Sequence, residues 1–492
     1  MRAQADVRSR IEDGRRPGRS AALLLLLLGA GCADPGAADR VQVGVAQADI
    51  TPAFEAYTDT NGNRRWDPGE PFEDEDQSGS IHTLWMGGFG PRNPTGVHDP
   101  LTVRAVALRI DGELVVLVAV DALAVSIKRT EAIKRLVLAR LDPGVLDDPR
   151  RVVIAATHTH QGPDTQGIFA PDFQPGWDEA YLTRLVEASA DAVVRSLGAL
   201  RPARLSFAGL EVEGLTRDIV PPDIRDPYVG VIRAEDAHSG ETLATLVSIA
   251  NHPEAAWSAN TEISADFPAA LRTGLEAELG GTAVYFSADL GLMQTPAELG
   301  APGFERARLV GEGYAAEIAA ALTAAAPAPD GALGLELAHA SVTVPLQNFE
   351  LYLAVQAGVA EGYADHLYVT PTGVCAELGC MDLPLTAVRL GALSTLVAVP
   401  AELSPELVLG GIRKPEGYAG PYPDAPAEPA LVEHLPTGHR FLIGLANAEV
   451  GYLFPKMTYD PDNNFDQRHG PGPDAAGLVM GALATLLDGL GP

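Results

Sequence analysis

Short apolar runs recur along the chain, and each ends abruptly on polar side chains. "ELVVLVAVDAL" reaches Asp121, "RRVVIAATHTH" reaches His158 and His160, and "TLATLVSIANHPE" reaches His252. "LSTLVAVPAEL" and "HRFLIGLANAEVGY" deliver Glu402 and Tyr452 in the same way. Such runs are too short for buried helices and read as strands, while "KRTEAIKRLVLARL" between the first two has the spacing of an amphipathic helix. The combination predicts an α/β architecture whose chemistry sits where the strands end. "VQVGVAQADITP" and "TAVYFSADLG" read as further strands. No internal repeat, long linker or break in composition divides the chain, so one large layered α/β domain is expected over residues 45–492. The Pro-rich "YAGPYPDAPAEPA" near 418–430 reads as a surface excursion.

Composition narrows the setting. A 46% hydrophobic and 20% charged chain of 492 residues is globular, and 51 Gly with 39 Pro predict many loops. The net charge of −30 argues against nucleic acid as a partner and suits solubility outside the cell, or cation binding. Arg15, Arg16 and Arg19 precede "AALLLLLLGAGC", an apolar stretch too short to span a bilayer. Residues 1–31 therefore read as a signal peptide and 32–44 as a tether. The small residues before Cys32 resemble a bacterial lipoprotein signal, in which that cysteine is lipidated and holds the protein at a membrane surface. Gly29 fits that pattern poorly, so simple secretion is the alternative. Cys375 and Cys380 in "CAELGC" form an even, closely spaced pair, expected as a disulfide in an oxidising compartment.

An acidic insert over 59–82 has calcium-loop spacing. Asp59, Asn61, Asn63, Asp67 and Glu70 fall at positions one, three, five, nine and twelve, with the Arg65 carbonyl at seven. Arg64 stands at position six, where glycine is usual. A second, partial copy, with Asp74, Asp76, Ser78, Gly79 and Ile81, has Trp85 where the closing carboxylate belongs. The alternative is a solvated acidic loop.

Residues two apart on a strand face opposite ways, so His158 and His160 share one metal only if the strand has ended or the two have different tasks. Gly162 and Pro163 end it. With His252 and Glu402, the chain offers the His/His/carboxylate set of a catalytic zinc site that keeps a position for water, although the His-Glu-x-x-His helix motif is absent. A pair of hydrogen-bonded histidines at a strand end remains the plainer reading.

"VAQADITP", "GVHDPLTVRAVAL", "ATHTHQGP", "ANHPE" with "SADFP", "VPAELS" and "GLANAEVGY" occur in the order seen in the neutral/alkaline ceramidases, whose N-terminal catalytic part the chain resembles over roughly 45–470. The resemblance implies zinc held by His158, His252, Glu402 and Tyr452, with His160 as acid or base beside the metal. It maps an arginine that binds the acyl oxygens onto Arg217, and a second active-site tyrosine onto Tyr459. Departures are specific. Leu292 and Gln294 in "GLMQTP" stand where the family has an acid and a serine, which excludes a serine nucleophile there and favours metal-activated water. With 40 residues after Tyr452, the immunoglobulin-like domain many members carry is not expected. The resulting expectation is a zinc amidohydrolase acting on an N-acyl lipid such as ceramide. The alternatives are a zinc hydrolase of another ester or amide, and a calcium-dependent surface-binding protein on an inactive hydrolase fold.

Overall fold

The computed structural model describes residues 40–490, except 173, 222, 330, 361–365, 415, 419 and 437; these belong to one compact unit, 36–492. The leader, Cys32 and most of the tether lie outside the described residues. An eight-stranded sheet runs in the order Thr282–Ser287, Thr242–Ile249, Tyr228–Asp236, Arg201–Glu211, Val41–Asp49, Thr102–Ile110, Glu113–Val120 and Val152–Ala156. Its two outer pairs are parallel and its centre antiparallel. A second sheet orders Leu335–Pro345, Cys380–Leu390, Ser394–Ala398 and His439–Ile443, the last two parallel.

Period-two alternation explains how the layers stack. In Glu113–Val120 the side chains of Val116, Val118 and Val120 pack against helices Ile127–Arg140 and Glu179–Gly198. Val115, Leu117 and Ala119 point the other way and meet Leu396, Ala398, Phe441 and Ile443 of the second sheet. Val397 and Leu442 face outward onto helix Ala475–Asp488. Helices Phe267–Leu279 and Phe304–Ala324 cover the other half of the large sheet. The order is thus helices, sheet, sheet, helix. Strands between two apolar layers have no polar face, which is why their sequences are unbroken apolar runs.

One buried ion pair ties the layers beneath the strand ends. Asp121 closes Glu113–Val120 and accepts two bonds from Arg272, at 2.8 and 3.0 Å, and is opposed by burial but held below the usual carboxylate range by that guanidinium. Thr157 Oγ1 donates to the same carboxylate at 3.2 Å. Cys375 and Cys380 are disulfide-bonded. The stretch 411–430 has no helix or strand among its described residues. No helix among the described residues is long and apolar enough to cross a membrane.

Candidate metal centre

Two donors come from each sheet. His158 follows Val152–Ala156 and His252 follows Thr242–Ile249; Glu402 and Tyr452 follow Ser394–Ala398 and His439–Ile443. The last two begin the short parallel strands Glu402–Leu403 and Tyr452–Leu453, directly paired with each other. Each apolar strand therefore carries its donor to the C-terminal edge of its sheet, where the two edges meet.

His158 leaves the strand direction by adopting φ +66°, which lets the two histidines of "THTH" turn toward one place despite their spacing. Its Nδ1 lies 2.7 Å from the Leu123 carbonyl, and His252 Nδ1 lies 3.0 Å from the Met293 carbonyl. A carbonyl only accepts, so each Nδ1 carries the proton and each Nε2 is left with a bare lone pair facing inward. The inward atoms crowd together: Glu402 Oε2 is 3.1 Å from His252 Nε2 and 3.3 Å from His158 Nε2, and the Tyr452 hydroxyl is 3.2 Å from His252 Nε2. All four side chains are buried or nearly so.

Lone pairs at such separations call for a cation between them. A tetrahedron with metal–ligand bonds of 2.0–2.1 Å has edges of about 3.3–3.4 Å; the three separations of 3.1–3.3 Å come within about 0.3 Å of that. Without a metal the cluster takes up a proton: burial opposes it, but the Glu402 and Glu254 carboxylates more than offset this and push His252 up to about 9. Burial likewise opposes ionisation of Glu402, yet His158 and His252 hold it well below the ordinary range. Burial, then Glu402, drives the Tyr452 phenol well above its ordinary value. The imidazoles of His158, His160 and His252 also form a group able to hold a metal, one donor atom of each lying within 4.8 Å of the others.

His160 differs from its two neighbours. Its ring sits edge-on to His158 at 4.9 Å and to Phe89 at 5.1 Å. Gly88, at φ +86°, abuts it so closely that a Cβ there would fall 2.5 Å from His160 Cβ and Cγ. Burial and the adjacent imidazoles hold His160 neutral, well below the usual histidine range. Arg92, completely buried, fixes the turn from beneath by donating to the carbonyls of His160, Gly87 and Asn260.

The fold has solved counterparts. One is the neutral ceramidase from Pseudomonas aeruginosa, with a TM-score of 0.63 and 18% identity, matched over 92% of this chain and 74% of that one. The chain has the fold of a neutral ceramidase. A second structure, of a ceramidase complexed with C2, gives a TM-score of 0.65 and 18% identity over 92% of this chain and 75% of that one. No family model matches the sequence, and no curated protein matches it either.

On this ceramidase fold the remaining expected residues are spread outward. Arg217 is exposed at the rim, its Nη2 3.5 Å from Gln294 Oε1. Their segments pair as Arg217–Asp218 with Met293–Gln294, next to the carbonyl that orients His252. Tyr459 lies in the next wall, its ring 6.4 Å from Tyr422 and its carbonyl accepting from Tyr418; no hydrogen bond or ring contact among the described residues joins it to the donor cluster. Two buried carboxyls, Glu254 and Glu449, and the half-buried Asp466 also belong to the surroundings, and the sequence assigns them no role. Burial raises Glu254 to about 7, and Glu449 far above the ordinary range with Glu402 adding to it. "NHPE" displays Glu254 openly, but its meaning depends on which side chain it meets.

The acidic insert folds as a compact turn. Asp59 accepts from the amides of Gly62, Asn63 and Arg64, and Asp67 from the side-chain amides of Asn61 and Asn63. Glu70 accepts from Thr60 and from the amide of Asp67, and the Arg65 amide donates to Asn63. Arg64 takes φ +66° without being glycine, held by its bond to the Ser258 carbonyl at 2.6 Å. In the second, partial copy, Glu55 brings a carboxylate beside Asp74 and Asp76, while its oxygens accept from the amides of Glu75 and His82.

Proposed function

We propose that the chain is a zinc-dependent hydrolase that cleaves the amide bond of an N-acyl lipid such as ceramide. The observation that carries this is the convergence of His158, His252, Glu402 and Tyr452, with separations of 3.1–3.3 Å between their inward atoms, on a ceramidase fold. When bound, zinc supplies a nucleophilic water at neutral pH and polarises the scissile carbonyl.

The chain's own residues supply the rest. His160, held neutral beside the donors, takes a proton from the attacking water and returns it to the leaving amine. Arg217 at the rim offers a guanidinium for the acyl oxygens, with Gln294 next to it. No serine stands at that wall, so no acyl-enzyme is expected.

The direct test is hydrolysis by purified, zinc-loaded protein of ceramides, N-acyl amino acids and simple esters, with fatty acid release quantified and a chelator control. Preference for N-acyl amino acids or esters would favour the second reading, a zinc hydrolase of another amide or ester, to which Leu292 and Gln294 already point. Calcium on Asp59, Asn61, Asn63, Arg65, Asp67 and Glu70, export by the leader, and a membrane anchor through acylated Cys32 complete the proposal.

A further inference from the structure

His158 and His252 rest their Nδ1 atoms on backbone carbonyls; His160 faces a carboxylate. Its Nδ1 lies 3.6 Å from Glu254 Oε2, both residues are more than nine-tenths buried, and among the described residues neither ring nitrogen of His160 nor Oε1 of Glu254 has a hydrogen-bond partner. Buried polar groups without partners are rare and call for a reason. A shift of less than about 1 Å converts this contact into an Nδ1–H···O bond, and catalytic bonds are commonly loose before substrate binds.

The backbone is built for that contact. The His160 amide donates to the Pro253 carbonyl at 3.0 Å, so the residue before Glu254 is already tied to His160. Just beyond Glu254, the amides of Ala255 and Ala256 both donate to the Asp266 carboxylate at 2.9 Å, pinning the turn. Gly88 and Phe89 close the other side of the ring.

We infer that Glu254 is the positioning partner of His160: its carboxylate accepts a hydrogen bond from Nδ1–H, fixes that tautomer, and leaves Nε2 bare toward the metal donors. The difference from a backbone carbonyl is chemical. Both fix a tautomer, but only a carboxylate also stabilises the imidazolium that exists while His160 carries the proton from water to amine. In this role Glu254 acts as the carboxylate, above the pKa of about 7 to which burial raises it, and binds no metal. The catalytic consequence rests on the hydrolase reading above; the tautomer does not.

The test uses zinc-loaded protein with ¹⁵N-labelled histidine at pH 8, comparing wild type with Glu254→Gln, Glu254→Ala and Glu254→Asp. Wild-type His160 is expected as a single Nδ1–H tautomer by ¹⁵N chemical shift, and Glu254→Ala as an exchange average. Glu254→Gln, which keeps the shape if Ala does not fold, should retain zinc and KM and lose roughly 10²–10⁴ in kcat, the range of acid–base catalysis, with Asp restoring most of it. An unchanged tautomer in both Ala and Gln variants, or unchanged kcat in an active enzyme, overturns the inference. Zinc loss in Glu254→Gln would overturn it by making Glu254 a ligand. Should the wild type hydrolyse no N-acyl amide, the reaction assignment fails, and the tautomer comparison still decides the pairing.

Discussion

Glu402 Oε2 sits between two imidazoles, 3.1 Å from His252 Nε2 and 3.3 Å from His158 Nε2, although the two histidines follow strands in opposite halves of one sheet and the glutamate follows a strand of another. A single carboxylate oxygen thus joins the layers at the one edge where all the donor-bearing strands finish.

The paired histidines of "THTH" should separate by experiment. His158→Ala is expected to lose metal and activity together, because three remaining donors hold zinc less tightly. His160→Ala should keep close to one zinc per chain and lose roughly 10²–10⁴ in turnover. Metal analysis beside steady-state kinetics reads both, and equal zinc loss would make His160 a ligand as well.

Gly88 has no room for a side chain. Gly88→Ala places a methyl against His160 in a backbone conformation that L-residues rarely adopt. The expected cost is about 2–4 kcal/mol from overpacking and strain together, read as a lower urea midpoint, with reduced turnover because the His160 ring must move.

Asp289 gives a pH signature of its own. Burial, and then the neighbouring Asp226, raise its carboxyl well above the ordinary range. A carboxyl whose folded pKa is raised contributes stability below its unfolded value near 3.9 and loses it as pH rises. Relative to Asp289→Asn, wild-type stability should therefore fall from about pH 4 upward, by at most about 1.4 kcal/mol per pH unit. Denaturant melts at several pH values would show it; parallel curves would refute it.

Arg217 is predicted to act on substrate and not on the fold. It is exposed, and its side chain hydrogen-bonds only to Gln294 among the described residues, so Arg217→Ala should leave thermal stability within about 0.5 kcal/mol of wild type. It should lower kcat/KM for N-acyl substrates by at least roughly tenfold, the loss of one charge-assisted contact.

Calcium should order the insert and leave the hydrolytic chemistry alone. Glu70→Ala removes the carboxylate that closes such loops, so calcium-dependent thermal stabilisation should vanish while the folded fraction stays active. No stabilisation of the wild type by calcium would reduce the insert to an acidic loop.

The donor-bearing strands were legible because a strand between two apolar layers must be an unbroken apolar run, and its last polar residue then marks the sheet edge. The stacking of two sheets was not legible, since buried strands of either sheet look alike. At position six of the insert, Arg64 departs from the usual glycine, and the backbone takes the left-handed conformation anyway because Ser258 holds the side chain from elsewhere in the fold. Glu254 went unassigned for a related reason: its role is a distance to His160, and sequence carries no distances.

The donors also have an order in time. Tyr452 meets His252 across 200 positions of chain, and Glu402 meets it across 150. Contacts so distant form late, after the entropy of closing long loops has been met. Until the Tyr452 segment has docked, the set of four donors is incomplete, so four-coordinate metal capture would mark completed folding.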